Sequence, residues 1–108
     1  MADLLKGEMM IKEETVKEVL KFRDDRNWKQ FHNPKDMAIS ISLEANELLE
    51  IFQWSGSDTY PEGCDEKIEE ELADVLIYAL MMADRCNLDT DEIILKKLKR
   101  NARKYPLK

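Results

Sequence analysis

Four acidic residues occur in two pairs whose spacing suits a divalent cation. Glu44 and Glu47 form an ExxE pair, and Glu71 and Asp74 form an ExxD pair. A spacing of three residues places both acids of a pair on one face of a helix. Each acid also lies three or four residues from an apolar position, so all four border the apolar stripes of their helices. This arrangement predicts a metal site.

Carboxylates beside a hydrophobic core need a compensating charge. An unpaired buried carboxylate is costly, and clustered like charges raise one another's pKa. A hard divalent cation removes both penalties, and Mg²⁺ prefers oxygen ligands while keeping positions for water and phosphate. Di-iron bundles need Glu-x-x-His motifs, whereas the only histidine, His32, lies outside both acidic helices. The all-oxygen set therefore favours Mg²⁺, with Mn²⁺ as a substitute.

Composition provides a competing explanation for the acidic pairs. Asp and Glu total 23 of 108 residues, so either pair alone is expected by chance on a solvated helix face. The protein would then be a non-enzymatic helical interaction module. Two pairs on consecutive apolar helices that face each other across a hairpin favour the metal site instead.

Hydrophobic periodicity predicts four helices that would position these acids. The second helix should begin at Pro34 after an Asn33 cap, and the fourth after a cap at Asp89 or Thr90. The expected ranges are about 11–28, 34–54, 66–86 and from the fourth cap to Pro106. Three glycines and three prolines are too few for a many-stranded β fold.

The predicted fold class is therefore all-α, a four- to five-helix bundle centred on the hairpin of the second and third helices. Residues 11–108 are expected to form a single domain, preceded by residues 1–10 as an N-terminal segment expected to be flexible. The third helix is apolar on more than one side, which predicts that oligomerisation completes the bundle.

Charge and cysteine usage exclude several functions. The net charge is −6 and no basic arm is present, which disfavours binding to a nucleic acid polymer. No apolar run approaches a membrane span and no signal peptide is evident, so no membrane partner is expected. Cys64 and Cys86 form no CxxC pair, which makes a zinc site improbable. We expect a cytoplasmic protein with reduced thiols.

Other residue types around the acidic hairpin suit a nucleotide. The sequence contains no glycine-rich phosphate loop, so phosphates would be held by the metal and by the basic end of the fourth helix. Aromatic side chains lie at both ends of the hairpin and could contact a base: Trp28, Phe31, His32, Trp54 and Tyr78.

Ordered motifs extend this interpretation to a family. The strings FRDDRNWKQFHNP, SLEANELLEIFQW, EELADVLIYAL and KRNARKYP occur between Phe22 and Pro106. In this order they resemble the MazG-like all-α nucleoside triphosphate pyrophosphohydrolases, and most closely the compact branch that includes the dCTP pyrophosphatases. The resemblance implies hydrolysis of a nucleoside triphosphate, dCTP-like, between its α and β phosphates in nucleotide-pool house-cleaning. It also implies a homodimer or a homotetramer built as a dimer of dimers.

The resemblance also assigns roles to individual residues. It implies that Glu44, Glu47, Glu71 and Asp74 are the Mg²⁺ ligands. Base and sugar would be surrounded by Trp28, Gln30, Phe31, His32, Trp54 and Tyr78. The phosphate side would comprise Lys97, Asn101, Lys104 and Tyr105. All four acids are catalytic candidates, and Glu47 is our first choice as the base that activates water. Hydrolysis of another small pyrophosphate compound is a further alternative.

Overall fold

Four α-helices and a short 3₁₀ helix make up residues 11–107, the part of the chain that this computed structural model describes. The α-helices are α1 Glu13–Asp25, α2 Pro34–Glu50, α3 Asp65–Arg85 and α4 Thr90–Lys104, and the 3₁₀ helix Trp28–Phe31 lies between α1 and α2. No strand occurs within 11–107, so the all-α prediction is confirmed for that range. None of its helices is long and apolar enough to cross a membrane. The expected N-terminal segment, residues 1–10, lies outside the described residues.

Side-chain caps fix the starts of α2 and α4. The Asn33 side-chain oxygen accepts a hydrogen bond from the Asp36 backbone N–H at 2.9 Å, and Pro34 occupies the first turn. Asp89 accepts from the Glu92 N–H at 3.1 Å, so Asp89 is the residue that caps α4. Each cap satisfies a backbone donor that the first helical turn leaves without an intrahelical partner.

A Schellman motif ends α3 and turns the chain towards α4. Asn87 adopts a left-handed conformation with φ 57°. The Leu88 N–H donates to the Ala83 carbonyl at 2.8 Å, and the Asn87 N–H donates to the Asp84 carbonyl at 3.0 Å. Asparagine tolerates this backbone conformation better than most residues other than glycine, so its position explains where the helix stops.

Two helices end earlier than their hydrophobic periodicity predicts. α1 ends at Asp25 because Asn27 is left-handed, with φ 55°, and the following residues form the 3₁₀ helix. α2 ends at Glu50 rather than Trp54 because the N–H groups of residues 51–53 bond to carbonyls three residues back. Such bonds form successive turns instead of an α-helix.

The core lies mainly along the α2–α3 hairpin. These two helices form the most extensive contact between elements, and α1 packs against α3. Met37 of α2 and Met81 of α3 are each only 1% exposed, and Leu80 and Ala83 of α3 are also buried. α3 therefore has more buried residues than any other described helix. The two carboxylate pairs are carried by the two helices with the most mutual contact.

The fourth helix is largely uncovered in this chain. α4 makes only sparse contacts with the other described elements, and none of its residues is buried. Ile94, Leu95 and Leu98 are each more than half exposed on it, and Leu72 and Leu76 of α3 are nearly half exposed. An apolar stripe of this size on a helix is typical of a surface that another polypeptide covers.

The Asn33 cap gives a first test of the fold. We expect Asn33→Ala to lower the free energy of unfolding by about 1 kcal/mol, because the Asp36 N–H loses its acceptor. Asn33→Ser keeps an acceptor oxygen and should retain most of the stability. Urea unfolding followed by far-ultraviolet circular dichroism measures both, and an alanine variant as stable as the wild type would contradict the cap.

Candidate metal and nucleotide site

The α2–α3 hairpin brings four carboxylates into one cluster. α2 contributes Glu44 and Glu47, and α3 contributes Glu71 and Asp74. One carboxylate oxygen from each residue lies within 4.8 Å of the others. This span allows all four side chains to approach a common cation after small adjustments of their rotamers. The contact between the two helices therefore sets the geometry of the cluster.

Burial and mutual repulsion disfavour the fully ionised state of this cluster. Burial raises the pKa of Glu44 to about 7, and a hydrogen bond with Glu47 and the negative charge of Glu47 add to the effect. Burial and Glu47 likewise raise the pKa of Glu71. Among the described residues, the Oε2 atoms of Glu44 and Glu71 are buried and have no hydrogen-bond partner. A cation at the cluster would supply the missing partner and favour the ionised carboxylates.

The donor set fits a hard divalent cation. All four donors are carboxylate oxygens, and the cluster contains neither a histidine nor a cysteine. Mg²⁺, Mn²⁺ and Ca²⁺ prefer such oxygens, whereas zinc sites usually include nitrogen or sulfur ligands. A cation bound at the cluster would explain why two buried carboxylate oxygens have no hydrogen-bond partner. Exposed carboxylates would instead form hydrogen bonds with water.

A large cavity of about 950 Å³ opens beside the carboxylates. Its volume lies at the upper end of the range for small-molecule sites. Glu44 and Asp74 border it, so the cluster forms part of its wall. Most of the remaining wall is supplied by α1 and α3, and includes Val19, Phe22, Arg26, Trp28, Leu76, Ile77, Tyr78 and Met81.

A smaller cavity of about 360 Å³ adjoins the first. Trp28 and Tyr78 line both cavities. The other residues around the smaller one combine aromatic, apolar and polar groups: Phe31, His32, Asp36, Met37 and Ser40. Burial, and then the charge of Glu44, raises the pKa of Tyr78, so its phenol remains a hydrogen-bond donor at neutral pH.

The residues expected around the base separate into two groups. Trp28, Phe31, His32 and Tyr78 meet at the small cavity. Gln30 and Trp54 line neither cavity in the described part of the chain. The Gln30 amide donates to the Asn27 carbonyl at 2.9 Å, and Trp54 is 89% exposed beyond the end of α2.

The expected phosphate-side residues lie on α4, away from both cavities. Lys97, Asn101, Lys104 and Tyr105 are not among the described residues that line either one. The Lys104 ammonium lies 5.4 Å from the Tyr105 ring centroid, a local cation–π contact. Within one chain, therefore, α4 brings none of its basic side chains to the carboxylate cluster.

Sequence reasoning missed a buried ion pair near the small cavity. Arg23 of α1 is only 3% exposed, and its Nη1 donates to Asp84 Oδ2 at 2.6 Å. Its Nε donates to Asp24 Oδ1 at 2.9 Å. Arg23 occupies a position of the first helix's apolar stripe, three residues after Leu20 and four after Val19. The sequence did signal a buried charge here, because a charged residue occupies a position that the periodicity predicts to be buried.

An aromatic and cationic stack that the sequence did not reveal anchors the 3₁₀ helix. Phe22 and Trp28 pack edge to face with ring centroids 5.5 Å apart. The Arg26 guanidinium lies 3.5 Å from the Phe22 ring centroid. These contacts orient Trp28 between the two cavities, at the point where α1 has already ended.

Known proteins resemble the chain over most of its length. A family model described as MazG-like matches residues 39–108. dCTP pyrophosphatase 1 from Homo sapiens is 38% identical over 90 residues, and the protein of that name from Mus musculus is 35% identical over 91 residues. The alignments cover 79% and 80% of this chain. They cover 53% and 54% of the mammalian proteins, so the chain spans about half their length.

A solved structure shares the fold. A pyrophosphatase from Archaeoglobus fulgidus superposes with a TM-score of 0.73 at 41% sequence identity, over 88% of this chain and 92% of that one. The family model covers more than half of the sequence, including both acidic pairs. The chain therefore belongs to the MazG-like family.

Proposed function

We propose that this protein is an Mg²⁺-dependent nucleoside triphosphate pyrophosphohydrolase that releases a nucleoside monophosphate and pyrophosphate. The observation that carries the proposal is the all-oxygen cluster with two buried, unpartnered carboxylate oxygens, beside a cavity with aromatic walls. The mammalian relatives are named dCTP pyrophosphatases, and the archaeal neighbour is named a pyrophosphatase. These names favour a dCTP-like deoxynucleotide and a role in nucleotide-pool house-cleaning.

Three carboxylates are suited to holding the cation. Glu44, Glu71 and Asp74 are partly buried, and two of them carry the unpartnered oxygens. When bound there, Mg²⁺ or Mn²⁺ would polarise the α-phosphate and neutralise charge on the departing pyrophosphate. Ionised carboxylates at these positions would hold the triphosphate's cation at the edge of the large cavity that Glu44 and Asp74 line.

Glu47 is the best candidate for the base that activates water. It is the exposed member of the cluster, so water can reach its carboxylate. In the proposed reaction, Glu47 accepts a proton as the water oxygen bonds to the α-phosphorus. The bond from that phosphorus to the bridging oxygen then breaks, and pyrophosphate leaves with the bond electrons. Proton transfer to a positioned base contributes about 10²–10⁴-fold in typical enzymes.

The aromatic residues of the small cavity are suited to holding the base. Trp28, Phe31 and Tyr78 offer ring faces or edges, and His32 and Ser40 offer polar atoms. Because Trp28 and Tyr78 line both cavities, a nucleotide whose triphosphate lies at the carboxylates could place its base between them. In this placement the two cavities, which share Trp28 and Tyr78, hold separate parts of one substrate.

We also propose that a second copy of the chain covers α4 and completes the site. The apolar stripe of Ile94, Leu95 and Leu98 is more than half exposed, and Leu76 of α3 is nearly half exposed. The C-terminal half of α4 is strongly basic, whereas the α2–α3 hairpin carries the acidic cluster. In a homodimer, or in a tetramer made of two dimers, Lys97 and Lys104 of one copy could reach phosphates held by the other.

We place the protein in the cytoplasm. Cys64 and Cys86 are both free thiols, and Cys64 is buried. Free thiols in a small helical protein suit a reducing compartment, where disulfides do not persist.

The central experiment is a pyrophosphate-release assay over canonical and modified deoxynucleoside and ribonucleoside triphosphates, with and without Mg²⁺. We expect the largest kcat/KM for dCTP or a related pyrimidine deoxynucleotide, and no activity after chelation. Glu47→Gln/Asp74→Asn should lower the rate at least about 100-fold, because a base and a cation ligand are both lost. The matched control is Glu50→Gln/Glu69→Gln, which changes exposed acids on the same two helices. Wild-type activity in the first double variant would refute the mechanism.

The carboxylate cluster also predicts how stability depends on pH without divalent cations. Burial and Glu47 raise the pKa of Glu44 from 4.5 to about 7. Between these pH values the folded state therefore binds a proton that the unfolded state has released. Stability should therefore fall as pH rises from about 4.5 through about 7. Glu44→Gln should flatten this fall, and Mg²⁺ should raise the melting temperature most above pH 7. Thermal melts across pH measure both, with Glu50→Gln as control; parallel slopes for wild type and Glu44→Gln would count against the cluster.

Association through α4 can be tested with a charge-matched pair of variants. We expect Leu95→Glu/Leu98→Glu to shift the protein to a monomer, because two carboxylates would have to be buried in the interface. Arg100→Glu lies on the other side of α4 and changes the net charge equally, since it exchanges a positive for a negative charge. Sedimentation equilibrium gives the molecular mass of each. A wild-type monomer at micromolar concentration, or an unchanged mass in the double leucine variant, would contradict this interface.

A further inference from the structure

The described wall of the large cavity carries two basic side chains, Lys21 and Arg26. The Lys21 ammonium is neutralised by an ion pair of 2.7 Å with Asp25, which lines the same cavity. Arg26 forms no ion pair within residues 11–107. Among the described residues of this wall, Arg26 is therefore the cation whose charge is available to an anionic ligand.

Several contacts hold the Arg26 guanidinium in place at the end of α1. It lies 3.5 Å from the Phe22 ring centroid and 6.0 Å from the Trp28 ring centroid. Its Nη1 donates to the Phe22 carbonyl at 2.9 Å, the one hydrogen bond that its side chain makes to the described residues. A guanidinium has five N–H donors, and a contact with a ring face leaves its N–H edges uncovered. Most of these donors are therefore positioned and still available to a ligand.

The same cavity is bordered by two members of the carboxylate cluster, Glu44 and Asp74. Neither acid forms an ion pair with Arg26, so the guanidinium does not neutralise the cluster. The cavity volume of about 950 Å³ lies within the range of small-molecule sites, so one ligand can contact both groups. A ligand that carries a divalent cation and still has negative charge, such as a metal-bound triphosphate, matches this wall.

We propose that Arg26 binds the substrate's triphosphate from the α1 side of the large cavity, in the same chain whose carboxylates hold the cation. The inference rests on the proposed function, because it assigns the phosphates of a nucleotide to this cavity. The planar fork of a guanidinium donates two parallel hydrogen bonds to phosphate oxygens. Lys97 and Lys104 of α4 line neither cavity within one chain, so Arg26 provides positive charge that α4 does not bring there.

A purely structural role for Arg26 predicts a different result. Its charge at the C-terminal end of α1 is favourable to the helix dipole. Its contact with Phe22 also belongs to the stack that orients Trp28. If this were its whole role, loss of Arg26 would weaken contact with the base and leave phosphate binding intact. Ligands that contain only phosphates or only a base therefore separate the two roles.

The test compares inorganic triphosphate, in the presence of Mg²⁺, with deoxycytidine as ligands of the full-length wild type and of Arg26→Gln. Glutamine removes the charge and keeps an N–H donor for the Phe22 carbonyl. Amide NMR shifts measured during each titration give the dissociation constants. We expect Arg26→Gln to bind triphosphate about tenfold more weakly, through loss of a hydrogen bond to a charged group, and deoxycytidine as before. An unchanged triphosphate affinity, or an equal loss for both ligands, would overturn the proposal.

Matched controls remove the same unit charge from α1. Lys17→Gln changes an exposed residue that pairs with Glu13 and does not line the cavity. Lys21→Gln changes a residue of the cavity wall whose charge Asp25 already offsets. Both variants should bind triphosphate nearly as the wild type does. A loss in Lys21→Gln as large as that in Arg26→Gln would show that net charge governs binding, and would overturn the proposal.

Hydrolysis of dCTP separates this inference from the proposed function. We expect kcat/KM of Arg26→Gln to fall about tenfold while that of Lys17→Gln stays at the wild-type value. If the wild type hydrolysed dCTP and Arg26→Gln bound triphosphate with wild-type affinity, the role of Arg26 alone would be refuted. If the wild type hydrolysed no nucleotide, the proposed function would fail, and the triphosphate titration would still decide for or against Arg26.

Discussion

Repulsion among four carboxylates is the constraint on which the rest of the structure depends. Glu44 and Glu71 each carry a buried oxygen without a partner, and the pKa of Glu44 is raised to about 7 by burial and by its acidic neighbours. The packing of α2 on α3 holds these groups together, because the fully ionised carboxylates repel one another when no cation is bound. Part of the free energy of helix packing is therefore spent on holding the acidic cluster, the proposed metal site, together.

The hydrophobic core that must offset this repulsion is small. The largest fully buried side chains are Met37 and Met81, one from each helix of the hairpin, and few other apolar residues in the described part are fully buried. A chain of this length has little surplus hydrophobic burial from which to stabilise an acidic cluster. Covering α4 and the exposed leucines of α3 with a second copy would add apolar contact next to the large cavity, which Leu76 lines. Oligomerisation and metal binding would then both stabilise the same hairpin.

The sequence predicted the parts of the fold that depend on periodicity. Helices α2, α3 and α4 were predicted, α2 and α4 with their N-terminal caps. The spacing of Glu44 and Glu47 was enough to place them on one face, because helical geometry is local. The early end of α1 was missed because it depends on the left-handed conformation of Asn27, and propensity rarely predicts one such residue. The ion pair of Arg23 with Asp84 joins residues 61 positions apart in the chain, so no local pattern could reveal it.

The charges along α3 give the proposed nucleotide site its polarity. Glu71 and Asp74 lie in the half of the helix nearer its N-terminus, and Asp84 binds Arg23 at its C-terminal end. Asp74 and Asp84 are separated by about 15 Å along the helix, at 1.5 Å per residue. Tyr78 lies one turn beyond Asp74, between the acidic cluster and the buried guanidinium, and lines both cavities. A triphosphate with its cations at one end and a neutral base at the other matches this order of charge along a single helix.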